Sequence, residues 1–326
     1  MLESGIDHQD INAIESAQLR VVVSDRSNWG RIRIYDEDRL SFLHNQSTNN
    51  FQVLKPGQGC DTVMVTSTAR TIDLVTGYVL DDAILLLVSP NRRQQLMEWL
   101  DRYIFLTDKV KLGDVTDQTA AFSLIGPESH GIVEKLGARD LIGQPDGNHI
   151  LVDGAIVAVG SGLALPGYTL ILPIGDKQRW WDKILTDGVV ELSDRAWETL
   201  RILQGRPAPD LELTDDYNPL EVGLWQTVSF NKGCYIGQET IARLNTYKGI
   251  KQYLWGIRLH SAVQPGTIIT IGEEKVGKLT SYTNTPDGHF GLGYIKSKVG
   301  GVGLQVQVGD TVGEIVPIPF VSHEYP

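Results

Sequence analysis

Cysteine is scarce: the 326 residues include two, Cys60 and Cys234. So few thiols exclude a disulfide scaffold, which small secreted folds build from many more. They also exclude a chain that alone furnishes the full thiolate set of an iron–sulfur cluster. No Cys-x-x-Cys or His-Glu-x-x-His occurs, and the seven histidines are scattered without ligand spacing, so no metal site is expected. No run approaches the ~20 apolar residues that span a bilayer, and no membrane association is expected. Bases are outnumbered, 29 against 40 acids, for a net charge of −11; a field of that sign disfavours non-specific nucleic-acid binding. The first ten residues hold Glu3, Asp7 and Asp10 and no Lys or Arg, which argues against a secretory or transit leader. A cytoplasmic location is the simplest expectation.

What is present is ordinary for a folded protein: 41% hydrophobic and 21% charged residues. The length suits two or three domains of ~100–200 residues each. Alternation and apolar spacing predict strands at 30–35, 62–66, 73–80, 83–89, 109–115, 121–125, 156–160 and 168–172. Helices are predicted at 38–46, 91–104, 177–185 and 194–204, the last with Ser193 as N-cap and Gly205 as its stop. Pro127 is read as the first residue of a helix ending at Gly137. Segregated strand and helix groups indicate an α+β class rather than a wound parallel sheet. Residues 205–221 are rich in Pro and Asp yet keep supplying apolar residues, as an ordered excursion does. Beyond Lys251, six short strands separated by Gly, Pro and Asn suggest a small antiparallel barrel or sandwich.

Two nucleotide-like motifs fail on mechanism. Gly272-Glu-Glu-Lys-Val-Gly-Lys-Leu279 lacks the magnesium-binding hydroxyl, because Leu stands at 279, and no helix follows; it reads as a hairpin turn. Gly160-Ser-Gly162 is not completed, since position 165 is Leu. Asp81-Asp82 is read as a turn rather than a catalytic carboxylate pair.

The most unusual stretch is Ser229 to Arg243, with Lys232-Gly-Cys-Tyr-Ile-Gly-Gln-Glu239 at its centre. Gly233 and Gly237 permit close backbone approach and can present a side chain at a turn. Lys232 lies two residues before Cys234, and a nearby ammonium stabilises a thiolate. Gln238, Glu239 and Arg243 add donors and acceptors. The alternative is a structural loop around a buried, inert cysteine. From Lys232 to Arg258 there are five bases against the single acid Glu239, which suits either a local anionic ligand or a solvated face.

Lys-Gly-Cys-Tyr-x-Gly-Gln-Glu with an Arg four residues on resembles the signature of the YgfZ family, folate-binding and iron–sulfur-associated relatives of the glycine-cleavage T-protein. Residues 25–35, Phe42-Leu-His-Asn-Gln-Ser-Thr-Asn49, Pro56-Gly57, Arg70-Thr-Ile-Asp73, Leu124-Ile-Gly-Pro127 and Leu200-Arg-Ile-Leu-Gln-Gly205 extend the resemblance over most of the chain. It implies a three-domain cloverleaf around a folate channel. The expected parts are a discontinuous folate-binding region over 1–50 and 115–245, a ferredoxin-like middle domain over 51–114, and a C-terminal barrel over 246–326. It implies tetrahydrofolate, or a one-carbon derivative, as cofactor, and as partners iron–sulfur proteins or their assembly machinery, including tRNA-modifying radical-SAM enzymes. Cys234 and Lys232 would then carry a thiol function, with Trp29, Trp197, Arg70, Tyr235, Gln238, Glu239 and Arg243 around the ligand. Each indole could stack on a pterin or aminobenzoate ring, or be core packing. Of the T-protein's Gly-Gly-x-x-Asp-Asp stretch only Asp73 remains here, and Leu203 stands where T-proteins place a Glu. Three functions follow: a folate-binding accessory factor for iron–sulfur proteins; a folate-dependent aminomethyl- or methyltransferase with Asp73 as base; and a module that docks on protein or tRNA.

Overall fold

The computed structural model of the protein describes residues 7–325; residues 1–6, among them Glu3 of the leader argument, lie outside that range. In chain order the first elements are α1 (His8–Leu19), β1 (Val22–Asp25), β2 (Gly30–Tyr35), α2 (Arg39–Gln46), β3 (Gln58–Val65), β4 (Thr71–Val79), β5 (Ala83–Val88), α3 (Arg93–Asp101) and β6 (Lys111–Asp114). Then come β7 (Thr119–Ile125), α4 (Ser129–Leu136), β8 (His149–Val152), β9 (Ala155–Val159), β10 (Gly167–Pro173), α5 (Lys177–Leu185), β11 (Val190–Glu191) and α6 (Asp194–Gln204). The rest is α7 (Pro219–Val222), α8 (Gln238–Thr246), β12 (Gln252–Leu259), β13 (Ile268–Ile271), β14 (Glu274–Thr285), β15 (Gly288–Lys296), β16 (Gln305–Val308) and β17 (Thr311–Val316).

These build three sheets, in the α+β three-domain layout expected. The first has six strands in the order β11-β1-β7-β10-β9-β8, the second five in the order β3-β4-β5-β2-β6, and β12 to β17 close a barrel. The second sheet includes β2, so it reaches back across the expected boundary at residue 50. Its period-2 alternation splits it into two buried faces. Ile84, Leu86 and Val88 of β5 pack with Phe42 and Leu43 of α2 and Leu96 and Leu100 of α3. Leu85 and Leu87 face the other way, against Ala121, Ile156, Ala158 and Ile171 of the first sheet. Val63, Val65 and Leu74 meet Leu254, Leu292 and Tyr294 of the barrel. The second sheet is therefore the hub, touching the other two units through one face.

Local chemistry explains the best-predicted elements. Ser193 Oγ accepts from the Ala196 N–H at 3.1 Å and donates to Asp10 of α1 at 2.6 Å, capping α6 and docking α1 on it. Gly205 ends α6 at φ 80°. Gly272, at φ 56°, turns β13 into β14 with no helix behind it. The reading of Pro127 is corrected: α4 begins at Ser129, and Pro127 lies in the preceding turn, which the Ser129 N–H closes by donating to the Gly126 carbonyl at 3.1 Å. Helix α1 was not anticipated, as it buries mostly small residues, Ala13 and Ala17 beside Ile14. Helix α8 was not anticipated either, hidden inside the cysteine-bearing motif.

Two features, one of the backbone and one of a side chain, lock the units together. Gly147, at φ +83°, approaches Gly59 of β3 so closely that a Cβ on it would lie 2.2 Å from the Gly59 carbonyl oxygen. The other is Glu212, in the 205–221 excursion, which is fully buried. Its Oε2 accepts from Arg201 Nη1 of α6 at 3.1 Å and the Ala208 N–H at 3.0 Å. Its Oε1 accepts from Thr280 and Ser281 of β14, each at 2.6 Å. A carboxylate removed from water persists only when its lone pairs are satisfied in this way. Glu212→Ala leaves buried Arg201 with only the half-exposed Glu198 and takes the acceptor from Thr280 and Ser281, so urea denaturation should show a loss of about 3 kcal/mol. A loss under about 1 kcal/mol would show that the network does not hold the barrel to α6.

Candidate functional site

A cleft of about 450 Å³ opens where the three units meet. The second sheet supplies Cys60, Asp61, Thr76 and Tyr78; the first supplies Thr169 and the loops bearing Asp146 and Gly160; Phe320 comes from the segment after the barrel. The Gly59–Gly147 crossing brings Asp61 and Asp146 to the same cleft. Asp61 accepts from Thr76 Oγ1 at 2.6 Å. Burial, reinforced by Asp61, holds the Asp146 carboxyl above its usual range. Burial likewise pushes the Cys60 thiol up to about 12, so this cleft thiol is a poor nucleophile. The cleft thus offers carboxylates and aromatic walls.

A second cleft, of about 300 Å³, adjoins it. Trp29 and Trp197 meet there edge to face, with ring centroids 6.2 Å apart. The Arg26 guanidinium carbon lies 3.6 Å from the Trp29 ring centroid and 4.7 Å from that of Trp197. Arg26 lines both clefts. The two indoles singled out by the resemblance lie side by side here, and the Arg26 guanidinium covers the Trp29 face.

No residue from Lys232 to Arg243 lines either cleft, although Lys232 sits behind Asn49 and Cys60 in the wall of the central one. Main-chain bonds tie this segment to the end of α2 and the loop beyond: Ser229 N–H to the Thr48 carbonyl at 2.9 Å and Ile236 N–H to that of Asn45 at 3.0 Å. The reading of Lys232 as a partner for the Cys234 thiol is corrected. Its ammonium is buried and donates to the carbonyls of His44, Ser47 (2.7 Å) and Asn49 (2.6 Å), capping the C-terminus of α2. Burial pulls its pKa down to about 7, while the carbonyl cradle and the negative end of the helix oppose that shift. Cys234 itself is exposed, not walled in. Tyr235 is buried beside Lys232 and packs with Leu220, Trp225 and Ile241. Gly237, at φ 79°, precedes α8, from which Glu239 and Arg243 project into solvent. With Lys232 internal, the basic stretch is not one continuous surface strip.

Asp73 is fully buried. Ser89 engages both its oxygens, donating from Oγ at 2.6 Å and from N–H at 2.9 Å. Arg70 donates to the Asp216 carbonyl at 2.9 Å. Leu203 packs in the core cluster shared by α1 and α6. Of the residues singled out from the sequence, Trp29 and Trp197 line a cleft; Cys234, Lys232, Asp73, Arg70, Tyr235, Gln238, Glu239 and Arg243 line neither. Sequence reading missed Arg26, Cys60, Asp61, Asp146 and Arg206. The one local hint was Asp25-Arg26 heading the stretch that contains Trp29. Among the described residues no group of three or more His, Cys, Asp or Glu is placed to hold a metal ion, and no helix is long and apolar enough to cross a membrane.

Burial raises the Asp73 carboxyl from 3.8 to about 6. The unfolded chain therefore ionises first, and stability falls as pH rises from about 4 to about 6, by on the order of 3 kcal/mol. Asp73→Asn should remove that fall and leave the protein at least as stable at pH 7. An unchanged pH profile of chemical denaturation would disprove the assignment.

The model of the GCVT N-terminal domain matches residues 7–232. The chain is 48% identical over 324 residues to the chloroplastic "putative transferase" of Arabidopsis thaliana, covering 97% of this chain and 75% of that protein. It is 29% identical over 315 residues to the aminomethyltransferase of Bacillus mycoides, covering 91% and 85%. The crystal structure of the glycine cleavage system aminomethyltransferase T from Bartonella henselae superposes with a TM-score of 0.86 at 19% identity, over 97% of this chain and 90% of that one. The Arabidopsis protein's name places it in the chloroplast, so the comparison lends no support to a cytoplasmic location.

Proposed function

The chain belongs to the GCVT N-terminal domain family, and from that premise we propose that it binds tetrahydrofolate, or a one-carbon derivative, in the central cleft and serves as an accessory protein of the YgfZ type for iron–sulfur proteins. The observation that carries the folate half is the cleft at the junction of all three units, with Asp61 and Asp146 beside Tyr78 and Phe320. A reduced pterin has ring N–H and amino donors, which suit carboxylates, and flat faces, which suit aromatic walls. The donor set fits, although Leu203 cannot act as a pterin-anchoring carboxylate. When bound, the cofactor would supply a one-carbon carrier. Asp61, held by Thr76, would orient its ring, and Arg26 would close the far wall.

The accessory half rests on Cys234. Its thiol is exposed beside Gly233, outside the folate cleft, where it can reach a partner protein. Two cysteines cannot bind a cluster alone, so the clusters would belong to client proteins, tRNA-modifying radical-SAM enzymes among them. Similarity to aminomethyltransferases raises the alternative of transfer with Asp73 as base. Against it, both Asp73 oxygens are committed to Ser89 and none of the residue is exposed, whereas a general base must reach its proton. The net charge of −11 weighs against a tRNA-docking module.

Titration with tetrahydrofolate, followed by tryptophan fluorescence, should give a saturable change that Asp61→Asn weakens about tenfold or more. In a deletion strain, Cys234→Ala should fail to restore iron–sulfur enzyme activity while binding folate normally. Absence of saturable binding would end the folate reading, and full rescue by Cys234→Ala would end the thiol's role.

A further inference from the structure

Three arginines are buried around the smaller cleft, and they are not equivalent. Arg201 is matched by Glu198 and Glu212. Arg26 and Arg206 are 3% and 5% exposed, and among the described residues no carboxylate lies within ion-pair distance of either. Asp61 acts on both arginines, and Asp73 on Arg206, only at longer range; burial and the neighbouring Arg206 lower the affinity of Arg26 for its proton, and burial and Arg201 lower that of Arg206. Two like charges out of water and in mutual repulsion are costly unless something answers them.

Their setting is built rather than incidental. Arg26 Nη1 donates to Ser123 Oγ at 2.9 Å and to the Ser161 carbonyl at 3.3 Å, and its Nε has no partner. Arg206 Nη1 donates to the Gly162 carbonyl at 2.8 Å. One turn, Ser161-Gly162, therefore holds both guanidiniums. That turn needs glycine: Gly162 is at φ +83°, and a Cβ on it would lie 2.6 Å from Arg26 Nη1. Trp29 backs both, with the Arg206 guanidinium carbon 5.3 Å from its ring centroid. Both arginines line the cleft of about 300 Å³, along with Trp197, Ser89 and three carboxylates, of which Asp25 is paired with Lys177 and Glu198 with Arg201, while Asp194 makes no ion pair with either arginine. Carbonyls and indole faces orient these cations but supply no compensating negative charge.

We infer that Arg26 and Arg206 together receive one oxyanion, a carboxylate or phosphate group of a small ligand, in the cleft between Trp29, Trp197 and the start of α6. Paired guanidiniums fit such a group through parallel N–H donors, and the ligand supplies the charge that the protein omits. Because Arg26 also walls the central cleft, the oxyanion has two possible sources: a free small molecule, or the glutamyl carboxylate of a folate seated next door. The inference does not depend on folate binding.

The test is thermal unfolding and tryptophan fluorescence of the full chain with inorganic phosphate or L-glutamate, against sodium chloride at equal ionic strength. One of these probes should raise the wild-type midpoint saturably. Arg206→Leu, which removes a repelling buried charge, should fold and bind that probe about tenfold more weakly or worse. Arg26→Lys keeps the charge but loses the fork, and should bind with intermediate strength. Saturating tetrahydrofolate that abolishes the probe response assigns the oxyanion to the folate tail; a response that persists assigns it to a separate ligand. A wild-type protein that responds to neither probe, or an Arg206→Leu variant that responds as wild type does, overturns the inference. A protein that binds the probe but no folate refutes the folate reading alone.

Discussion

A single buried carboxylate holds the architecture in register. Glu212 sits between α6 and β14 and joins them: Arg201 comes from the helix before it, Thr280 and Ser281 from the strand far beyond it, and the nearby Ala208 N–H completes the set. Tyr294 of β15 donates to its backbone carbonyl at 2.8 Å and stacks on Tyr217 with centroids 3.5 Å apart. Apolar contact is non-directional and would let the barrel slide on the hub sheet. A charge stripped of water tolerates one geometry, because any slip leaves lone pairs or a guanidinium unanswered. The angle of the barrel, and with it the position of Phe320 in the central cleft, follows from that constraint.

The same logic separates structural from ligand-directed cations. Lys232 is buried, but three carbonyls answer it; Arg201 is buried, but two carboxylates answer it. Arg26 and Arg206 lie equally deep, yet each has one carbonyl partner and, among the described residues, no carboxylate within ion-pair distance. The two clefts share Arg26, and carboxylates line both; in the smaller one Asp25 and Glu198 are already paired with Lys177 and Arg201. Cys234 belongs to neither cleft: it is exposed, in a stretch whose main chain is tied to the end of α2 through Ile236 and Asn45.

Much of the fold could be read along the chain. Helices α5 and α6 were placed at their observed limits, because Ser193, Gly188 and Gly205 mark them chemically. The barrel strands were found because Gly, Pro and Asn punctuate them. Strand β5 was legible as an apolar run, and its two buried faces explain why it does not alternate with polar residues. Elements without such punctuation were lost: α1 buries mainly alanines, and α8 begins at a glycine that looked like part of a loop.

The site was far less legible. Sequence proximity suggested that Lys232 activates Cys234, two residues away, yet adjacent side chains need not point the same way, and the lysine turned inward to the end of a helix. What the chain by itself determined is local: which segments become helix or strand, and where caps and turns stop them. What only the tertiary structure decided is which charges are answered. Arg26 and Arg206, Asp61 and Asp146 are separated by dozens of residues in the sequence and carry no periodic signal. Their significance comes from desolvation and from the presence or absence of a counter-charge, and neither exists until the three units close on one another.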